Sequence, residues 1–148
     1  MSNIIFTPNG KILYNLQLEK SAIVSGSFNP LHQAHVEMGE KALKDMGIGT
    51  PDNKLFFELS VMNPDKGLIE QEEIRKRIAG IIEKKKNAMI SMKPFFYTKN
   101  AFSQNGYFIM GADTYKRLVN TKYYGNSREQ MVISLSDFTK CNNTLVVA

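Results

Sequence analysis

From residue 21 to its end, the chain alternates short apolar runs with helical patterns, and this alternation restricts the fold more than any other feature. The runs with the length of a β-strand are residues 22–24, 55–61, 88–92 or 95–97, 107–110 and 144–148. Amphipathic helical spacing occurs in residues 36–46, 74–82, 115–119 and 131–138. Strands that alternate with amphipathic helices are typical of a parallel sheet covered on both faces. We therefore predict a doubly wound α/β fold with a mostly parallel, five-stranded sheet.

Ahead of this pattern, the first twenty residues predict a small hairpin. The apolar residues 4–6 and 12–14 flank Asn9 and Gly10, and Asn-Gly is the best short-range signal for a hairpin turn. A length of 148 residues fits one domain. We expect residues 1–20 to form an N-terminal β-hairpin extension and residues 21–148 to form the α/β domain.

Composition excludes several classes of protein. Cys141 is the one cysteine, so the chain cannot form an internal disulfide or a cysteine-rich zinc site, and its place near an apolar run favours a buried thiol. No apolar run reaches the roughly 20 residues that span a bilayer, and the N-terminus lacks a signal-peptide pattern. We therefore expect a cytoplasmic protein with no membrane partner. The net charge of +5 suits a partner that carries phosphate, and a nucleic acid is the last-ranked of these partners.

The loop after the first parallel strand has the composition of an anion site. Gly26 permits a sharp turn, and Ser27 adds a hydroxyl and an amide. The only two histidines of the chain, His32 and His35, lie three residues apart at the start of a predicted helix. Their imidazoles therefore share one face above free backbone N–H groups. Amides, a helix dipole and two imidazoles together would stabilise negative charge on a phosphate.

Two other interpretations of the histidine pair are open. In the first, one histidine caps the helix and the other packs beneath the loop. In the second, the pair binds zinc. This is poorly supported, because the pair lacks the i, i+4 spacing and intervening glutamate of H-E-x-x-H, and no acidic third ligand lies nearby.

A longer string around these histidines resembles a known signature. The string is Gly26-Ser27-Phe28-Asn29-Pro30-x-His32-x-x-His35. It is similar to the G-S-F-[D/N]-P-x-H-x-G-H motif of the nucleotidylyltransferases, particularly the nicotinate and nicotinamide mononucleotide adenylyltransferases. Residues 108–114 resemble the strand-ending G-x-D segment of that family, and residues 63–66 resemble its acceptor loops.

The resemblance implies a Rossmann-like domain that binds ATP and transfers AMP to the phosphate of a mononucleotide, with release of pyrophosphate. It implies that His32 and His35 are the catalytic residues, that Mg²⁺ accompanies the triphosphate, and that the protein holds no metal of its own. The residues implied to lie at the nucleotide are Gly26, Ser27, Phe28, Gly111 and Asp113. The residues implied to lie at the phosphorylated acceptor are Asn63 and Lys66. Asp113 has an alternative role as the cap of the following helix, and Lys66 as a solvated loop lysine.

Two departures from the family pattern keep other functions open. Ala34 stands where the motif has glycine, and the Ser/Thr-rich turn with an arginine that follows the last strand in the family does not occur up to residue 148. We therefore expect either that the domain is incomplete at its C-terminus or that the protein has lost part of the family's triphosphate clamp. A non-catalytic nucleotide-binding module is one alternative, and a cytidylyltransferase that uses CTP and an alcohol phosphate is another. A basic RNA-binding domain is the last.

Overall fold

The computed structural model describes residues 3–49, 51–63, 67–91 and 103–148. The strands are β1 (Asn3–Phe6), β2 (Ile12–Tyr14), β3 (Leu18–Glu19), β4 (Ala22–Gly26), β5 (Leu55–Ser60), β6 (Met62–Asn63), β7 (Gly67–Leu68), β8 (Asn87–Ser91), β9 (Ser103–Gln104), β10 (Tyr107–Met110) and β11 (Thr144–Val147). The helices are α1 (Gln33–Asp45), α2 (Gln71–Glu83), α3 (Ala112–Leu118) and α4 (Arg128–Lys140). Short 3₁₀ turns lie at Asp52–Lys54 and Thr121–Tyr124.

The main sheet has seven strands in the order β11-β10-β4-β5-β8-β1-β2. The strands from β11 to β8 all run parallel. Counted along the chain, these parallel strands lie in the spatial order 3-2-1-4-5, which is the order of the Rossmann fold. The prediction of a doubly wound, mostly parallel α/β fold is confirmed. The order reverses between β4 and β10, and in such sheets a ligand crevice opens there, outside the carboxyl ends of the strands.

The N-terminal hairpin adds the last two strands to this sheet. β1 and β2 pair antiparallel around a turn in which Gly10 has a φ of 89°, so the Asn-Gly prediction is confirmed. β1 also pairs antiparallel with β8, with Ile5 opposite Met89, and both side chains are fully buried. The hairpin therefore continues the main sheet, while the domain boundary at residue 20 stays a prediction.

Most local predictions agree with the structure. β10 has the predicted bounds, and β8 confirms the first of the two candidates for the third strand, while residues 95–97 lie outside the described residues. At the start of α4 the Gln130 amide donates to Ser127 Oγ at 3.1 Å, as the capping pattern predicts. The expectation of a buried thiol is wrong, because Cys141 lies in the turn between α4 and β11 and is half-buried.

Helices cover both faces of the sheet. On one face, α1 and α2 contribute Val36, Leu43 and Ile81 to a buried cluster. On the other face Leu118 of α3 is buried, and Leu135 of α4 packs against the same cluster. No helix in the described part of the chain is long and apolar enough to cross a bilayer.

Candidate functional site

The loop between β4 and α1 lies at the point where the strand order reverses. β4 pairs with β10 with Val24 opposite Ile109, so the segments that follow these two strands lie side by side. Gly26 ends β4, and Gly111 follows β10. The structure thus brings together the first strand-to-helix loop and the G-x-D segment, as expected for a nucleotide crevice.

Phe28 shapes this loop. Its ring is buried and makes edge-to-face contacts with Phe57 and His35, at centroid distances of 5.6 and 5.3 Å. The backbone of Phe28 has a left-handed φ of 45°, which is unfavourable for a residue with a side chain. The ring folds back over Gly26, where an added Cβ would lie 2.9 Å from Phe28 Cε1. Glycine is needed at position 26 because the ring occupies the space of a side chain.

His32 and His35 form a stacked pair at the start of α1. The residue before the helix is His32, which is exposed, and His35 is in the first turn and is half-buried. The ring centroids are 5.6 Å apart with an interplanar angle of 24°. The backbone N–H of His32 donates to His35 Nδ1 at 3.0 Å. The prediction that both imidazoles share one face is confirmed.

The hydrogen bond to Nδ1 determines where neutral His35 carries its proton. A nitrogen that accepts a hydrogen bond has no proton of its own, so neutral His35 carries its proton on Nε2. Burial, the neighbouring His32 and the charge of Lys84 lower the pKa of His35 from its ordinary value of 6.5. His35 is therefore a neutral imidazole near pH 7, with Nε2 as a hydrogen-bond donor.

Backbone amides near the pair are free to bind an anion. The N–H groups of Phe28, Gln33 and Ala34 have no hydrogen-bond acceptor among the described residues. Ala34 is exposed in the first turn of α1, so its methyl group faces solvent at the helix start. Free amides at the start of a long helix attract phosphate through their dipoles.

Two buried or partly buried side chains brace the loop. The fully buried Glu58 of β5 lies opposite Ser25 in the sheet, and Ser25 Oγ donates to Glu58 Oε1 at 2.9 Å. On the α2 side, Arg77 Nη1 donates to the carbonyl of Ser27 at 3.3 Å. The sequence reasoning missed both contacts. The register of β4 against β5 determines the first, and the packing of α2 beside the loop determines the second.

The G-x-D residues are open to solvent. Gly111 caps α3 with extended backbone, and a Cβ built there would have no neighbour within 4 Å. Asp113 is exposed and is the second residue of α3, while the cap position belongs to Gly111. The alternative role of Asp113 as the helix cap is therefore wrong, because α3 begins two residues earlier than that role requires.

The predicted acceptor residues are only partly described. Asn63 ends β6, the first strand of a short hairpin with β7 that follows β5. Lys66 and the side chain of Asn63 lie outside the described residues. Among the described residues no three histidine, cysteine or acidic side chains group closely enough to hold a metal ion.

Comparison with known families agrees with this geometry. The model of the family described as "Cytidylyltransferase-like" matches residues 23–144, which include the loop, both histidines and the G-x-D segment. No curated protein and no solved structure matches the chain significantly. The family match covers most of the chain and agrees with the Rossmann strand order, so this protein belongs to the cytidylyltransferase-like family and contains a nucleotidyltransferase-like domain.

Proposed function

We propose that the domain binds ATP in the crevice between β4 and β10 and transfers AMP to the phosphate of a mononucleotide of the nicotinate or nicotinamide type. The observation that carries this proposal is the His32–His35 pair beside the free amides at the start of α1. An oxygen of the acceptor phosphate forms a new bond to the α-phosphorus of ATP. The bond from that phosphorus to the bridging oxygen breaks, and pyrophosphate leaves with the electron pair.

The two histidines would act on the phosphates without becoming covalent intermediates. Neutral His35 offers the Nε2 proton to a phosphate oxygen, since its Nδ1 is held by the His32 amide. The exposed His32 adds a second imidazole on the same face. Donors that are already oriented stabilise charge that develops on the phosphates during transfer.

The remaining site residues would bind the two substrates. The backbone at Gly26, Ser27 and Phe28 borders the triphosphate, and the exposed carboxylate of Asp113 suits ribose hydroxyls. Asn63 and Lys66 are proposed to bind the acceptor by resemblance alone. When bound, Mg²⁺ would neutralise part of the charge of the leaving pyrophosphate. Magnesium commonly binds through substrate phosphates and one or two carboxylates.

Release of pyrophosphate tests this proposal. The protein is mixed with Mg²⁺, ATP and a panel of phosphorylated acceptors that includes both nicotinate and nicotinamide mononucleotides. We expect turnover with a mononucleotide, and we expect His32→Ala and His35→Ala each to lower the rate about 100- to 1000-fold. Gln33→Ala is the matched control, since it removes an exposed side chain between the two histidines and keeps the backbone N–H of residue 33. Unchanged turnover in both histidine variants would refute the mechanism.

The same assay separates the two alternative functions. A rate that is higher with CTP and an alcohol phosphate than with ATP and a mononucleotide would identify a cytidylyltransferase, the enzyme after which the family is named. Nucleotide binding by calorimetry without turnover would identify a binding module. Ala34 favours that outcome because its methyl group stands at the helix start, where phosphate would approach. Ala34→Gly removes the methyl group, so turnover that appears only in this variant would show that the methyl group blocks the reaction.

A further inference from the structure

Arg77 forms hydrogen bonds to two partners beside the loop between β4 and α1. Its Nε donates to Glu73 Oε1 at 2.9 Å, within the same helix, and its Nη1 donates to the carbonyl of Ser27 at 3.3 Å. The side chain is only 17% exposed. Arg75, two residues earlier in α2, is 68% exposed and lies 3.9 Å from Glu72. The two arginines therefore share a helix and a charge, but only Arg77 contacts the loop.

The contact with Ser27 orients the peptide unit that precedes Phe28. In a trans peptide the carbonyl oxygen and the amide hydrogen point in opposite directions. The Ser27 carbonyl points toward α2 and Arg77, so the N–H of Phe28 points away from α2. That N–H has no acceptor among the described residues, like the N–H groups of Gln33 and Ala34 at the start of α1.

The loop needs this support because Phe28 has left-handed backbone. A residue with a side chain stays in that conformation only where its surroundings hold it. In this loop the support comes from the buried Phe28 ring on one side and the Arg77 hydrogen bond on the other. Loss of the Arg77 contact would let φ of Phe28 relax and would rotate the Phe28 amide.

We propose that Arg77 is a positioning residue of the phosphate site, which turns the Ser27–Phe28 peptide so that the Phe28 amide faces the bound anion. This inference rests on the function proposed above, because it assigns the loop amide to a phosphate of the nucleotide. Arg77 acts through the loop, since its guanidinium donates to Glu73 and to the Ser27 carbonyl. Lys84, which directly follows the last residue of α2, is one of the groups that lower the pKa of His35, so a second basic side chain lies on this side of the site.

The experiment compares Arg77→Ala and Arg77→Lys with Arg75→Ala as the matched control. In the free protein, the ¹H–¹⁵N resonance of Phe28 reports the orientation of its amide. We expect this resonance to shift or broaden in both Arg77 variants and to stay unchanged in Arg75→Ala. A Phe28 resonance that does not respond to Arg77→Ala would overturn the proposal, whether or not the protein binds nucleotide.

Calorimetry with pyrophosphate and with ATP then measures the consequence for anion binding. We expect the dissociation constants to rise about tenfold in Arg77→Ala, less in Arg77→Lys, and not at all in Arg75→Ala. A purely structural role would lower the melting temperature of Arg77→Ala but leave the affinity of the folded protein unchanged, and that result would overturn the proposal. Full recovery in Arg77→Lys would also overturn it, since charge alone would then suffice. Failure of the wild type to bind ATP, CTP and pyrophosphate is a separate result, which would reject the proposed function together with this inference.

Discussion

The close approach of α1 to the sheet makes Gly39→Ala the most informative substitution for stability. A Cβ at Gly39 would lie 2.3 Å from Leu55 Cδ1 and 3.2 Å from Val24 Cγ2. Carbon atoms pack at about 3.5–4.0 Å, so either α1 moves by about 1 Å or Leu55, which is 1% exposed, changes rotamer. Such overpacking costs about 1–3 kcal/mol, while alanine in place of glycine inside a helix contributes about 1 kcal/mol. We expect Gly39→Ala to be destabilised, by up to about 2 kcal/mol.

Gly80→Ala is the matched control for this substitution. Gly80 is an interior residue of α2, which has 13 residues like α1, and a Cβ at Gly80 would have no neighbour within 4 Å. We expect Gly80→Ala to be more stable than the wild type by about 1 kcal/mol. The gain in helix propensity is common to both variants, so the difference between them measures the overpacking alone.

Urea unfolding followed by circular dichroism gives the free energy of unfolding of each variant. The gap between the two should be about 1–3 kcal/mol, or roughly 2–12 °C in melting temperature for a chain of this size. Because Gly39 lies one turn after His35, Gly39→Ala should also displace the imidazole pair and lower turnover, while Gly80→Ala keeps the wild-type rate. Equal free energies of unfolding for the two variants would refute the close-approach argument.

Two further predictions concern pH and the buried carboxyl group. The pKa of His35 is lowered in the folded protein, so below the ordinary value of 6.5 the unfolded chain binds more protons than the folded one. The free energy of unfolding should therefore fall as the pH drops through 6.5 and level off below the folded-state pKa. Urea unfolding between about pH 5 and pH 8 should show this slope in the wild type. The slope should be flatter in His35→Gln, which cannot take up the proton. Ser25→Ala removes a hydrogen bond to the fully buried Glu58 and should lower the free energy of unfolding by about 1–3 kcal/mol. A change within about 0.5 kcal/mol in urea unfolding would mean that this contact adds little stability.

The elements that sequence predicts well are those that local spacing determines. Residues 107–110 form a continuous apolar run between turn residues, and β10 has those bounds. The Asn-Gly turn predicts its own hairpin, since both strands lie within a few residues of it. The partner of that hairpin could not be predicted in this way. β1 pairs with β8, which is more than eighty residues away, and the local sequence pattern of neither strand indicates its partner.

In the candidate site too, features set by local sequence could be predicted, and features set by distant residues could not. The histidines lie three residues apart on one helix start, so their shared face follows from helical geometry and needs no long-range information. The left-handed φ of Phe28 has no sequence signal of its own, because that conformation depends on the burial of its ring against Phe57 and on the reach of Arg77 from another helix. Turn propensity alone would have placed glycine or asparagine there.

The residues that brace the loop explain why a motif match is an incomplete description of the site. Glu58 accepts a hydrogen bond from Ser25, and Arg77 donates one to Ser27, so the residues on either side of Gly26 contact partners that lie 33 and 50 positions away in the chain. Neither residue belongs to the histidine signature. On the proposed function, a chain that keeps every residue of the signature should still lose phosphate affinity when the Arg77 contact is removed. Ala34 departs from the signature, and its exposed methyl group lies at the helix start, where the proposed function places a phosphate. We therefore expect the orientation of the Phe28 amide, which the proposed role of Arg77 makes dependent on α2, to predict phosphate binding better than the match of residues 26–35 to the signature.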